Sequence, residues 1–522
     1  MTSAPAFESE IRKSYTFESA SVTLGAAISG GKPFQGLQVN LPLSTLNRHG
    51  LIAGATGTGK TKSLQRLAES LSERSVPVLL MDMKGDVSGI SRPGTDSPKI
   101  QERVKAIGGE WKAAGYPAEF LSISAEKGTR LRATVSEFGP VFFSKMLELN
   151  ETQSSILSLI FKYADDQGLP LVDLKDIRKL IQYLTNEGKS ELKQDYGSIS
   201  TASTGLILRK IVEIEEQGAG AFFGERSFDV EDLLRVDANG FGMISVLRLT
   251  DIQTKPRLFS TFMLCLLAEI FQKFPEEGDV EQPKLVIFID EAHLIFKEAT
   301  KTLLSELETV IKLVRSKGVG IIFCTQSPSD IPPGILAQLG LKIQHALRAF
   351  TAVDRKAIKL AADNYPLTSH YKVEDLITQL GIGEALVTGL NERGEPTALV
   401  HTLMAPPRSR MDTITPAELD QTAASSTIAL KYSQTLDSES AYELLSAKLG
   451  QASASAQEAP AKKAPQAAPA RSPRTTSAQS AAGKYMQSLG KSVATSIVRN
   501  LTGQITRTLL GSVLGPPRRR RY

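Results

Sequence analysis

The stretch Gly54-Ala55-Thr56-Gly57-Thr58-Gly59-Lys60-Thr61 has the residue types that wrap a polyphosphate. Its glycines let the backbone come close to an anion, and the amides of the loop and of a following helix N-terminus point at it. Lys60 then contacts the β and γ phosphates of a nucleoside triphosphate, and the Thr61 hydroxyl takes a place on Mg2+. Downstream, the apolar run Leu285 to Ile289 ends in Asp290 and Glu291. Two acids directly after a buried strand suit a magnesium-associated Asp290, acting through a water ligand, and Glu291 as the base that orients attacking water. A second strand, Val319 to Thr325, delivers Gln326, which we read as the sensor of the γ-phosphate or the lytic water. Arg315 and Arg348 are the best placed arginines to offset charge on the transferred phosphate, a role often filled from a neighbouring subunit. The chemistry so described is ATP hydrolysis with Mg2+.

Two nearby residues carry less. His293 reads as a packing or hydrogen-bonding residue rather than a catalytic one. Asp82 ends the strand next in sequence and either faces the nucleotide or belongs to a plain turn with Lys84, Gly85 and Asp86.

These groups need a sheet to hold them. Gly50 to Ala53 reads as the first core strand, helix Thr61 to Glu73 follows with Leu64, Leu67, Ala68 and Leu71 on one face, and strand Val78 to Met81 comes next. Strand, helix, strand implies a right-handed crossover and parallel pairing. Further apolar runs without alternation, at Phe120 to Ile123, Met243 to Leu247, Leu341 to Leu347 and Ala385 to Val387, fit strands covered on both faces. The expected fold is α/β, a RecA-like P-loop NTPase with a mostly parallel sheet and helices on both sides.

The expected domains are a small β cap over 1–45, an ATPase core over 46–405 with an all-helical subdomain inserted at 139–238, and a helical segment over 406–450. A disordered Ala/Pro/Ser linker over 451–483 and an amphipathic helix with a basic tail over 484–522 complete the chain. The net charge of +5 hides a division: residues 461–522 hold twelve Lys or Arg and no Asp or Glu, which leaves net −7 on the first 460 residues. A globally basic nucleic-acid surface is therefore not expected, although a local stripe is compatible with this balance. The closing PPRRRRY suits DNA phosphates, anionic lipid, an acidic partner or plain solvation. No export signal or membrane span is read: the run Phe259 to Phe271 includes Glu269 and is far short of the ~20 apolar residues a bilayer needs. A cytoplasmic location is the expectation, with Cys265 and Cys324 as inert core thiols.

Asp290-Glu291-Ala292-His293 has the tetrapeptide of superfamily-two helicases, but there the two nucleotide motifs lie much closer than the 230 residues from Lys60 to Asp290. The segments GATGTGKTKSLQ, MDMKGDVSG, IDEAHLIF, VRSKGVG, CTQSPSDIP and ALRAFTAVDRKAIK together resemble the HerA/FtsK class of hexameric DNA-pumping ATPases, and more narrowly the bacterial HerA-helicase-like proteins. The resemblance spans about 20–410. It implies a homo-oligomeric ring acting on DNA, with the catalytic pair at Asp290 and Glu291 and the sensor at Gln326. HerA proper has an N-terminal β-barrel for partner docking, and about 45 residues here are too few for one. Two rivals remain: a ring or dimer that remodels or moves a protein partner, and a nucleotide-gated scaffold, against which intact Lys60, Glu291 and Gln326 argue.

Overall fold

The computed structural model describes residues 4–458 apart from 125, 254, 279, 298–300, 350, 435 and 437. The strands are β1 (Ser21–Ser29), β2 (Lys32–Pro42), β3 (Gly50–Ala53), β4 (Val78–Asp82), β5 (Ala118–Ser122), β6 (Thr129–Arg130), β7 (Ile244–Arg248), β8 (Leu285–Ile289), β9 (Val319–Thr325), β10 (Leu341–Gln344), β11 (Glu384–Thr388) and β12 (Val400–Met404). They form a 12-stranded sheet in the order β2-β1-β12-β11-β10-β3-β9-β8-β4-β7-β5-β6. From β10 to β6 all neighbours are parallel, and from β10 back to β2 all are antiparallel. The sheet is thus mostly parallel, as the uninterrupted apolar runs predict.

Every residue of β3, β4, β8 and β9 is buried, because helices cover both faces. Alternate side chains enter two separate cores. Leu51, Leu79, Met81, Ile287, Ile289 and Phe323 face one; Ile52, Leu80, Val286, Phe288, Ile322 and Cys324 face the other. Burial pushes the Cys324 thiol up, so it is a core residue rather than a reactive thiolate.

Helices α1 (Ala4–Tyr15), α2 (Lys60–Ser72) and α3 (Pro98–Ile107) precede β5, and α4 (Val135–Met146), α5 (Glu151–Asp166), α6 (Leu174–Thr185), α7 (Lys189–Asp195) and α8 (Thr201–Glu216) lie between β6 and β7. The core of α4 to α8 is continuous with one face of the sheet rather than closed on itself. Next come α9 (Pro256–Lys273), α10 (His293–Phe296), α11 (Lys301–Val314), α12 (Pro333–Leu336), α13 (Ala352–Asp363) and α14 (Val373–Gln379), and then α15 (Pro416–Ala424), α16 (Thr427–Ser433) and α17 (Ala441–Glu458). Among the described residues no helix is long and apolar enough to cross a membrane.

Two expectations need correction. The N-terminal segment is not a separate β cap. It opens with α1, which buries Phe7, Ile11 and Tyr15 at helical spacing, and its hairpin extends the main sheet through β12. Gly25 permits that junction, since a Cβ there would lie 1.9 Å from the Leu403 carbonyl oxygen. At the other end, α17 continues to Glu458, past the expected start of the linker at 451. The remainder of the linker and the basic amphipathic helix lie outside the described residues.

Candidate active site

The loop from Gly54 to Gly59 joins β3 to α2, and its backbone requires glycine. Gly54, Gly57 and Gly59 have φ of +154°, +78° and +112°. A Cβ on Gly54 would come 2.5 Å from His345 Cβ, and one on Gly59 would meet the Gly383 backbone at 3.2 Å. Neighbouring strands fix the loop: Gly54 N donates to Thr325 O at 3.2 Å, Ala55 N to Ala346 O at 2.8 Å, and Gly383 N to Thr58 O at 2.9 Å. Thr58 Oγ1 closes the turn on Ala55 O at 2.7 Å. Thr56 and Gly57 stay exposed at the crest, where an anion would approach.

Lys60, the first residue of α2, is buried and donates to Gly54 O at 2.5 Å and Ala55 O at 3.1 Å. Burial lowers its pKa, and repulsion by Lys84 adds to the effect. An ammonium held this way gains from any anion placed on the loop. Thr61 Oγ1 lies 3.4 Å from Asp86 Oδ2.

The acids arrive from the neighbouring strands. Asp290 follows β8 and donates its amide to Met81 O of β4 at 3.2 Å. Asp82, the last residue of β4, accepts the amides of Lys84 at 3.2 Å, Gly85 at 2.7 Å and Val87 at 3.4 Å. One oxygen each from Asp82, Asp86 and Asp290 lies within 4.8 Å of the others. Buried Asp290 Oδ2 has no hydrogen-bond partner. Burial, with Asp86 adding repulsion, pushes Asp82 up to about 6. Burial outweighs the pull of Lys84 on Asp290, and the other acids repel, so its pKa rises to about 7. Crowded, partly unpartnered oxygens of this kind fit a hard divalent cation such as Mg2+.

Glu291 adopts φ +46°, a left-handed conformation costly for a residue with a Cβ. Lys84 Nζ pairs with Glu291 Oε1, while His293 Nδ1 at 3.2 Å and Gln326 Nε2 at 3.5 Å approach Oε2. Burial pushes this carboxyl up, but Lys84, His293 and Gln326 together outweigh it and leave the pKa below its ordinary value.

The loop, Thr61, Asp290, Glu291 and Gln326 therefore come together. Arg348 joins them: it lines, with Ala55, Gln326, Asp354 and Ile358, a cleft of about 400 Å3. Arg315 does not. It follows α11 at the N-terminal end of β9, near His49 ahead of β3, at the opposite end of the parallel strands from the phosphate loop.

Sequence reasoning named Lys84 and Asp86 only as turn residues beside Asp82 and did not single out His345. Charged residues just after the apolar strand β4 were the available signal for the first two. His345, buried behind Gly54 with Nε2 3.0 Å from Ser63 Oγ and Nδ1 2.9 Å from Glu384 O, gave none.

A family model described as "Helicase HerA-like C-terminal" matches residues 29–521. The DNA double-strand break repair helicase HerA of Sulfolobus acidocaldarius is 22% identical over 397 residues, covering 72% of this chain and 68% of the relative. The corresponding helicase of Sulfurisphaera tokodaii is 23% identical over 376 residues, covering 68% and 64%. The chain thus spans about two thirds of the length of these relatives. Among solved structures, the bacterial conjugative coupling protein TrwBdeltaN70 aligns with a TM-score of 0.51 and 16% identity over 78% of this chain and 94% of that one. It shares the fold.

Proposed function

This chain belongs to the helicase HerA-like C-terminal family of P-loop motor ATPases, and we propose that it hydrolyses ATP with Mg2+ at the site described above and uses the energy to move DNA as a homo-oligomeric, hexameric ring. The amides of Gly54 to Thr61 hold the phosphates, and Lys60 leaves the loop carbonyls for the β and γ phosphates. Thr61 and Asp290 hold Mg2+, with Asp82 and Asp86 shaping the surrounding field. The ion, once bound, offsets charge on the phosphates. Glu291 takes a proton from water that Gln326 orients, and Arg348 offsets charge from within the same chain. Arg315, at the opposite end of the parallel strands, has access only to the nucleotide of a neighbouring subunit.

The observation that carries the reading is the approach of Glu291 to Gln326 at 3.5 Å beside the phosphate loop, with Asp290 adjacent. DNA as the moved polymer draws on the relatives named as DNA repair helicases. The net negative first 460 residues favour a second reading, a motor that acts on protein. ATPase rates with double-stranded DNA, single-stranded DNA and no nucleic acid, at stated salt, separate the two. Several-fold stimulation by DNA is expected; equal rates in all three would support the protein-directed reading instead.

A further inference from the structure

Two lysines share the phosphate end of the site, and only Lys60 belongs to the phosphate loop. Lys84 comes from the turn after β4, which the Asp82 carboxylate fixes by accepting the Lys84, Gly85 and Val87 amides. Its backbone is therefore held while its side chain, 36% exposed, keeps room to turn. Nζ is paired with Glu291 Oε1, beside Asp290 and within the field of Lys60. The other Glu291 oxygen faces His293 and Gln326. Glu291 is thus held by an ion pair on Oε1 and flanked by two side-chain nitrogens on Oε2.

A carboxylate tied to an ammonium is a weak proton acceptor, so turnover needs a competing anion to draw Lys84 away. The γ-phosphate is such an anion, and two neighbouring lysines that repel each other are stabilised when it lies between them. We propose that Lys84 is a second γ-phosphate ligand, whose ammonium exchanges the Glu291 carboxylate for a γ-phosphate oxygen when a nucleoside triphosphate binds. The inference rests on the ATPase reading given above. Freed by this exchange, Glu291 takes a proton from water as the water oxygen bonds to the γ phosphorus. The bond from that phosphorus to the bridging oxygen breaks, and its electron pair leaves with the diphosphate. Lys84 keeps its protons throughout. A diphosphate offers it no such partner, so Lys84 returns to Glu291 and the base is withdrawn.

The test compares wild type, Lys84→Met and Lys84→Arg for affinity to ADP and to AMP-PNP, together with kcat for ATP. Loss of a hydrogen bond to a charged group corresponds to about 10- to 100-fold. Lys84→Met should bind ADP as wild type does, bind AMP-PNP weaker by about that factor, and lose kcat at least as much, with Lys84→Arg restoring part of the preference for triphosphate. ADP affinity also reports that the variant is folded; should Lys84→Met bind neither nucleotide, Lys84→Gln is read by the same ratio. An unchanged triphosphate-to-diphosphate ratio, or faster hydrolysis than wild type, overturns the proposal. Wild type that binds no nucleotide would instead refute the ATPase reading itself.

Discussion

Asp82 and Asp290 sit at the ends of the adjacent parallel strands β4 and β8, and together with Asp86 they bring three carboxylate oxygens within 4.8 Å of one another. Close like charges are tolerated when a cation shares them. Asp290→Asn should therefore raise the Mg2+ concentration for half-maximal turnover by about 10- to 100-fold, the range for groups that tune a metal site, and Asp86→Asn by less. Titrating Mg2+ at fixed ATP checks this. An Asp290→Asn curve superimposed on wild type would remove Asp290 from the metal site.

The phosphate loop has unequal tolerance for side chains. At Gly54 the backbone φ is +154° and a Cβ collides with His345, whereas Gly57, at φ +78°, faces open space. Gly54→Ala should lose more than about 2 kcal/mol of stability together with nucleotide binding, and Gly57→Ala about 1 kcal/mol, the cost of a left-handed alanine. Denaturant unfolding with ATP titration distinguishes them; equal losses would mean that the contact with His345 is not what fixes the loop.

The two arginines should behave differently in mixed assemblies. Arg348 lines its own chain's cleft, and Arg315 lies at the opposite end of the parallel strands. Mixed with Glu291→Gln subunits, Arg315→Ala should regain part of its activity, because its intact base then meets an arginine donated by the neighbour, while Arg348→Ala should regain none. The reverse pattern would exchange the two roles.

His49 links β9 to α11: Ile321 N donates to Nδ1 at 3.1 Å, so Nε2 carries the hydrogen given to Ile311 O at 2.7 Å. A second ring proton has nowhere to go. Burial, with Arg315 adding repulsion against the contrary pull of Ile311, lowers the pKa from 6.5 to about 4. The unfolded chain thus binds the proton first on acidification. The contribution is complete above pH 6.5, is lost as the pH falls from 6.5 towards 4, and amounts to about 3 kcal/mol. His49→Gln should show a shallower loss over that window in denaturant unfolding, and parallel curves would show that His49 does not titrate there.

Much of this arrangement was legible in the sequence because its signals are local. The glycine spacing before Lys60, the apolar run before Asp290 and the strand before Gln326 each follow from what a short segment must do by itself. What escaped depends on contacts distant in the chain. Gly383 backs Thr58 from more than 300 residues away, and His345 fills the space behind Gly54. No periodicity announces either. The helix α1 was legible in Phe7, Ile11 and Tyr15, but the β-rich segment after it dominated the reading. Asp82 stayed open in the sequence because a turn carboxylate and a metal-site carboxylate need the same residue, and here it caps the turn and faces the cluster at once.

The most direct measurement is phosphate release from ATP and Mg2+ by purified wild type, Lys60→Ala and Glu291→Gln, with ATP binding followed in parallel. Wild type should turn over, Lys60→Ala should neither bind nor hydrolyse, and Glu291→Gln should bind ATP while losing turnover by orders of magnitude. Undiminished hydrolysis by Glu291→Gln would contradict the assignment of the base, and hydrolysis by Lys60→Ala at the wild-type rate would place the chemistry elsewhere in the molecule.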